Sequence, residues 1–159
     1  MLSTKRRTLG QVLVCVGCCC GRVDRGHPPV PVEWLKHAWK TRRLATSIQL
    51  TISGCLGPCD LVNVVGLVHP NGTLWLGGLD TQTHYEAIVE WATESAAEGR
   101  LLPLPDSLSP LRFERFSAPS PGFDQQTQPL RPLSPPLGEM GLQGQEDEVR
   151  LSSQFPKLA

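Results

Sequence analysis

Alternating and helical hydrophobic patterns divide the chain up to about residue 102 into six elements. The run G-Q-V-L-V-C-V at 10–16 is short and apolar and reads as a buried strand. Behind Pro31, residues Val32, Leu35, Ala38 and Trp39 recur at helical spacing, which predicts a helix over 32–44. Ile48, Leu50 and Ile52 then alternate with polar residues, the pattern of a half-buried strand that ends just before Cys55. Two more strand-like runs, N-V-V-G-L-V-H and T-L-W-L-G-G-L, are joined at Pro70-Asn71-Gly72, a hairpin signal. Tyr85, Ile88, Val89, Ala92 and Ala96 line one face of a helix over 82–98, for which Thr83-x-x-Glu86 can form a capping box. The order β-α-β-β-β-α predicts an α/β domain over residues 8–102, a mixed β-sheet flanked by helices.

From Pro103 the pattern fades. Ten of the fifteen prolines lie in 103–159, mixed with Ser, Gln and Gly, and no periodicity is sustained. This stretch is expected to be a proline-rich, largely disordered tail. Within it, Leu111, Phe113 and Phe116 could pack back on the domain or form a short docking segment.

Charge changes the picture only locally. Fifteen basic and fifteen acidic residues cancel over 159 residues, so no overall field favours nucleic acid. Residues 1–50 nevertheless hold nine Lys/Arg against Asp24 and Glu33, while residues 51–100 hold Arg100 against six acids. Glu86, Glu90, Glu94 and Glu98 repeat at i,i+4 and repel mildly. An ordinary solvated face is the expectation, and a basic surface of Lys36, Lys40 and Arg43 that offsets this repulsion is the alternative. The basic opening leads into an apolar run broken by Gly17, too short for a membrane span and without a cleavage-site pattern. The expected compartment is therefore the cytoplasm, where clustered cysteines bind metal more often than they form disulfides.

The candidate chemistry lies in six cysteines. Cys15, Cys18, Cys19 and Cys20 follow the first strand, Cys55 and Cys59 follow the second, and residues 60–159 hold none. If these strands are parallel neighbours, both loops leave the same sheet edge and four sulfurs can converge on a metal ion or an iron–sulfur cluster. Gly17, Gly21, Gly54 and Gly57 permit close backbone approach to sulfur, and Pro58 stiffens the second loop.

Residues 9–101 resemble the thioredoxin-like [2Fe–2S] ferredoxin family, which includes the small cluster-bearing subunit of respiratory NADH dehydrogenase. The resemblance rests on V-L-V-C-x-x-x-x-C at 12–20, on S-G-C-L-G-P-C at 53–59 and on the following V-V-G-L-V-H-P-N-G-T-L-W-L-G-G-L. It implies a thioredoxin-like fold and a [2Fe–2S] cluster ligated by Cys15, Cys20, Cys55 and Cys59. It further implies one-electron transfer to a redox partner protein, homodimerisation and no enzyme activity of its own. Where the family pattern needs one cysteine, Cys18, Cys19 and Cys20 stand in a row, which leaves Cys19 as the alternative to Cys20.

Two other functions fit parts of the pattern. A structural zinc site accepts four thiolates in two knuckles, and x₄ and x₃ spacings both suit it. A thiol–disulfide oxidoreductase needs C-x-x-C opening a helix; Cys15-Val16-Gly17-Cys18 has the spacing, but the adjoining C-C-G-R-V-D-R-G-H-P-P is a poor helix former. Among the four histidines none is spaced from another as a metal pair, and His27 could serve only by folding back. Trp39, Trp75 and Trp91 are expected in packing, with Trp34 partly exposed. Arg22 and Arg25 could moderate the charge of the site or steer an acidic partner, or be simply solvated. No Gly-rich nucleotide fingerprint is present.

Overall fold

The computed structural model describes Leu2 and residues 4–117, so the expected tail beyond residue 117 lies outside the described residues. A five-stranded mixed sheet carries the fold: β1 (Gly10–Cys15), β2 (Ile48–Ser53), β3 (Val65–His69), β4 (Gly72–Leu76) and β5 (Arg112–Phe113). Their spatial order is β2-β1-β3-β4-β5. β1 and β2 are parallel, with Cys15 opposite Ser53, and the other pairs are antiparallel. Parallel neighbours need a crossover connection, which α1 (Val32–Thr41) supplies; α2 (Gln82–Glu98) follows the β3–β4 hairpin.

Register sorts the strand residues onto two faces. Val12 pairs with Leu67 and Val14 with Val65, and Val65 in turn with Leu76. These are buried in one core with Leu35 and Trp39 of α1 and with Tyr85, Ile88, Val89 and Ala92 of α2. Both helices therefore press their apolar stripes onto this face. The tryptophan indoles in the core keep a polar partner, Trp39 Nε1 donating to the Ile48 carbonyl at 2.8 Å and Trp91 Nε1 to that of Leu102 at 2.9 Å. Residues between these on the strands face the other way, where Gln11 Nε2 donates to Thr51 Oγ1 at 2.7 Å.

Helix ends differ from expectation in instructive ways. α1 stops at Thr41 rather than near 44, because Arg43 adopts a left-handed conformation (φ 55°) and Leu44 turns inward in a 3₁₀ turn, where it is buried. α2 spans 82–98 and ends on left-handed Gly99. Its N-cap is Thr81 with no side-chain capping bond, and Thr83 lies inside the helix, so the expected capping box does not form. The acidic face of α2 does meet a cation, from the residue that caps the C-terminus of α1. It is Arg42, which donates to Thr93 Oγ1 at 3.0 Å and sits 3.5 Å from Glu90, whereas Lys36 pairs with Glu33 on its own helix.

The ordered fold also continues past residue 102. Asp106–Leu111 form a 3₁₀ helix, Leu108 is fully buried in the main core, and β5 adds to the edge of β4. Leu102 N–H is held by Ser95 Oγ at 3.1 Å, which starts this return. Leu111 and Phe113 do pack back on the domain while Phe116 stays largely exposed, and Leu108, spaced irregularly among prolines, carries no period that would reveal it.

Candidate metal centre

Because β1 and β2 run parallel, the loops after Cys15 and Ser53 leave the same sheet edge, and all six cysteines gather there as free thiols. Backbone bonds hold the first loop against the sheet: Cys15 N–H donates to Val64 O at 2.9 Å and Val16 N–H to Ser53 O at 3.0 Å. Gly17 N–H then reaches the Cys20 carbonyl at 3.1 Å, curling the loop on itself.

The sulfurs fall into an inner and an outer group. Cys15 and Cys20 are buried, 4% and 3% exposed, in a small apolar cluster with Val64, flanked by Leu56, Leu61, Trp75 and Phe113. Burial, with the Cys20 thiol beside it, pushes the Cys15 thiol up to about 12, and the Leu56 N–H works the other way. Cys55 and Cys59 touch, Sγ to Sγ 3.3 Å. The Sγ atoms of Cys18, Cys19 and Cys59 lie within 4.8 Å of one another, close enough to hold one metal ion. Of the four cysteines expected as ligands, this set contains only Cys59, and it includes Cys19, the alternative.

Charge is shared unevenly between the touching pair. The Cys55 thiol is lowered by its contact with Cys59, by the Gly57 N–H and by the Arg115 guanidinium. Cys59 is pushed up to about 12, first by Cys55, then by desolvation and by Cys18 and Cys19 nearby. The contact thus favours the charged form at Cys55 over Cys59. Cys19 is also raised, by desolvation and by Cys18. Metal binding replaces these protons, since a bound thiol is deprotonated outright.

Supporting residues settle several sequence readings. Arg25 Nη1 donates to the Cys18 carbonyl at 3.3 Å, whereas Arg22 is taken up by Asp24 through two bonds of 2.7 and 2.6 Å. That pairing holds the Asp24 carboxyl down to about 2. His27 does fold back, but onto the Cys19 carbonyl, 2.7 Å from its Nδ1, so it shapes the loop through the backbone. Trp75 packs over Gly66, its cross-strand partner, where an added Cβ would come 3.1 Å from the ring. A cleft of about 720 Å³ lies at the other end of the sheet, between the β3–β4 turn and the chain after α2, and no cysteine lines it.

Two residues that pattern reading passed over hold the site. Asn63, buried and at φ 56°, accepts from Gly21 N–H and donates to two carbonyls. An asparagine just before an apolar run is a turn signal that could have flagged it. Arg115, in the stretch read as tail, stacks on Trp75 with its guanidinium carbon 4.5 Å from the ring centroid. Nothing in its local sequence marks that role.

The donor chemistry suits a thiophilic metal: six thiols, no carboxylate in the group, and backbone N–H donors at Leu56 and Gly57 aimed at sulfur. Compared with protein-family models, curated proteins and solved structures, the chain matches none.

Proposed function

We propose that the chain is a metal–thiolate protein that carries a [2Fe–2S] cluster on Cys15, Cys20, Cys55 and Cys59 and works as a one-electron carrier rather than an enzyme. The supporting observation is the pairing of sulfurs at one sheet edge. Cys15 and Cys20 share one buried cluster and Cys55 touches Cys59, while Leu56 of the second loop packs against the first pair. A [2Fe–2S] cluster held by four cysteines takes two thiolates per iron. The crossover from β1 to β2 followed by a hairpin and a helix supports the thioredoxin-like reading that the resemblance implies. On the same resemblance the carrier is a homodimer that exchanges electrons with a redox partner protein in the cytoplasm. No helix among the described residues is long and apolar enough to cross a membrane.

A second reading is favoured by the outer sulfurs. Cys18, Cys19 and Cys59 already stand within 4.8 Å of one another, with Cys55 3.3 Å from Cys59. For a single ion this set needs the least rearrangement, and it makes the chain a structural zinc module.

Electron paramagnetic resonance on anaerobically purified protein, with iron, sulfide and zinc counts, separates the two. The carrier gives a silent oxidised sample, a rhombic S = 1/2 signal after dithionite, and about two irons and two sulfides per chain. Stoichiometric zinc without that signal, in protein made under iron-replete conditions, overturns it in favour of the zinc module.

A further inference from the structure

The chain beyond α2 returns to the cysteine edge and lays one cation on it. β5 pairs with β4, placing Phe113 opposite Trp75, and two residues later Arg115 turns over the Trp75 ring. Phe116 also lies near it, its ring centroid 5.3 Å from the guanidinium carbon and its ring edge-on to Trp75. The head of Arg115 rests on the Cys55–Cys59 loop so closely that a Cβ added at Gly57 would come 2.7 Å from Nη2. Gly57 itself has φ 113°, so this contact rests on a backbone only glycine adopts readily. Among the described residues Arg115 has no acidic partner, and its Nη1 is buried with no hydrogen-bond acceptor.

A buried, unpaired guanidinium donor is costly unless an anion completes it. Four thiolates around a divalent ion or a cluster leave net negative charge at the site, and the loop under Arg115 supplies two of the thiols. We propose that Arg115 is a positioning residue of the metal centre, compensating the thiolate charge through the Cys55–Cys59 loop that it clamps against Trp75. The inference rests on the reading that the cysteine edge binds metal, and not on which metal it is. It also extends the site into a segment that lies outside the ferredoxin resemblance.

Cobalt(II) is a suitable probe, since its thiolate charge-transfer absorption reports binding directly. The full chain, reduced and metal-free, is titrated with Co(II) in the wild type, Arg115→Lys and Arg115→Met, with far-ultraviolet circular dichroism on each. Charge compensation predicts that R115M weakens Co(II) binding about tenfold, the order expected for one charge-assisted contact, while R115K stays within about threefold of the wild type. R115M binding as tightly as the wild type overturns the inference, and so does equal weakening in both variants, which would mark a role in shape alone. If R115M does not fold, R115Q makes the same neutral comparison with a planar polar head. A wild type that binds no Co(II) overturns the metal reading, and this inference with it.

Discussion

The side-chain oxygen of Asn63 accepts a 2.8 Å hydrogen bond from the backbone N–H of Gly21, the residue directly after Cys20. The same amide donates to Pro28 O at 3.0 Å and Leu79 O at 2.9 Å, so one buried side chain ties the first cysteine loop to the chain before α1 and to the chain before α2. Its φ of 56° is tolerated by asparagine better than by most residues.

Replacing Asn63 by Ala leaves the Gly21 N–H and the Pro28 carbonyl without this partner and the Leu79 carbonyl with only the Tyr85 hydroxyl at 3.4 Å, and a loss of about 3 kcal/mol is expected in urea unfolding. Asn63→Asp is the sharper test. One carboxylate oxygen can still accept from Gly21, but the other faces the Pro28 and Leu79 carbonyls, so the protonated form is favoured in the folded state. Its folded pKa is thereby raised, and stability present at low pH is lost as pH rises. The deficit relative to the wild type should grow between about pH 4 and about pH 8, as a carboxyl in this setting ionises. A pH-independent deficit would show that the amide is not held as described.

Leu108 belongs to the domain by its burial, fully enclosed among Leu76, Leu79, α2 and the rest of the main core. Leu108→Ala in the full chain should cost about 3 kcal/mol of unfolding free energy. An effect within about 0.5 kcal/mol, as for an exposed surface site, would return this segment to the tail.

Much of the frame was legible in the sequence because it is written in local periods. The alternation of Ile48, Leu50 and Ile52 and the stripe from Tyr85 to Ala96 give β2 and α2 almost to the residue. The parallel pairing of β1 and β2, on which convergence of the cysteine loops depends, stood only as a condition in the sequence, since a helix between two strands permits a crossover without fixing which strands become neighbours. Contacts without period were not legible. Cys18, Cys19 and Cys20 are consecutive, yet the first is exposed, the second half-buried and the third buried. Loop curvature decides that division, and spacing does not encode it. Arg115 and Leu108 stayed hidden for the same reason, since their segment resembles a tail until its few apolar residues meet the sheet.

Thiol reactivity should follow the inner and outer division. In reduced, metal-free protein at about pH 7.5, iodoacetamide should modify exposed Cys18 and Cys55 first, Cys55 aided by its lowered thiol. Cys15, buried and pushed up to about 12, and buried Cys20 should react more than about tenfold more slowly, as read by peptide mass mapping over time. Cys15 labelled as fast as Cys18 would mean that the inner pair opens on its own and is not part of the folded core.

Single Cys→Ser variants distinguish the two metal readings at positions where they disagree. Cys59 belongs to both sulfur sets, so losing metal in Cys59→Ser is expected either way. Cys20 and Cys18 are the deciding pair. With the cluster on Cys15, Cys20, Cys55 and Cys59, Cys20→Ser should lose about two irons per chain while Cys18→Ser keeps them. With one ion on the outer set, Cys18→Ser should release metal to a chelator at least about tenfold faster, as removal of a thiolate ligand requires. In that case Cys20→Ser should keep the ion and show only the modest cost of placing a hydroxyl in an apolar pocket beside Val64. Cys19→Ser refines the answer, because Cys19 is the alternative cluster ligand as well as a member of the outer set. Loss of iron from C19S with retention in C20S would move the cluster outward by one residue while preserving the electron-carrier reading. Retention of metal in C18S, C19S and C20S alike would mean that none of these three is a required ligand, and would overturn both arrangements.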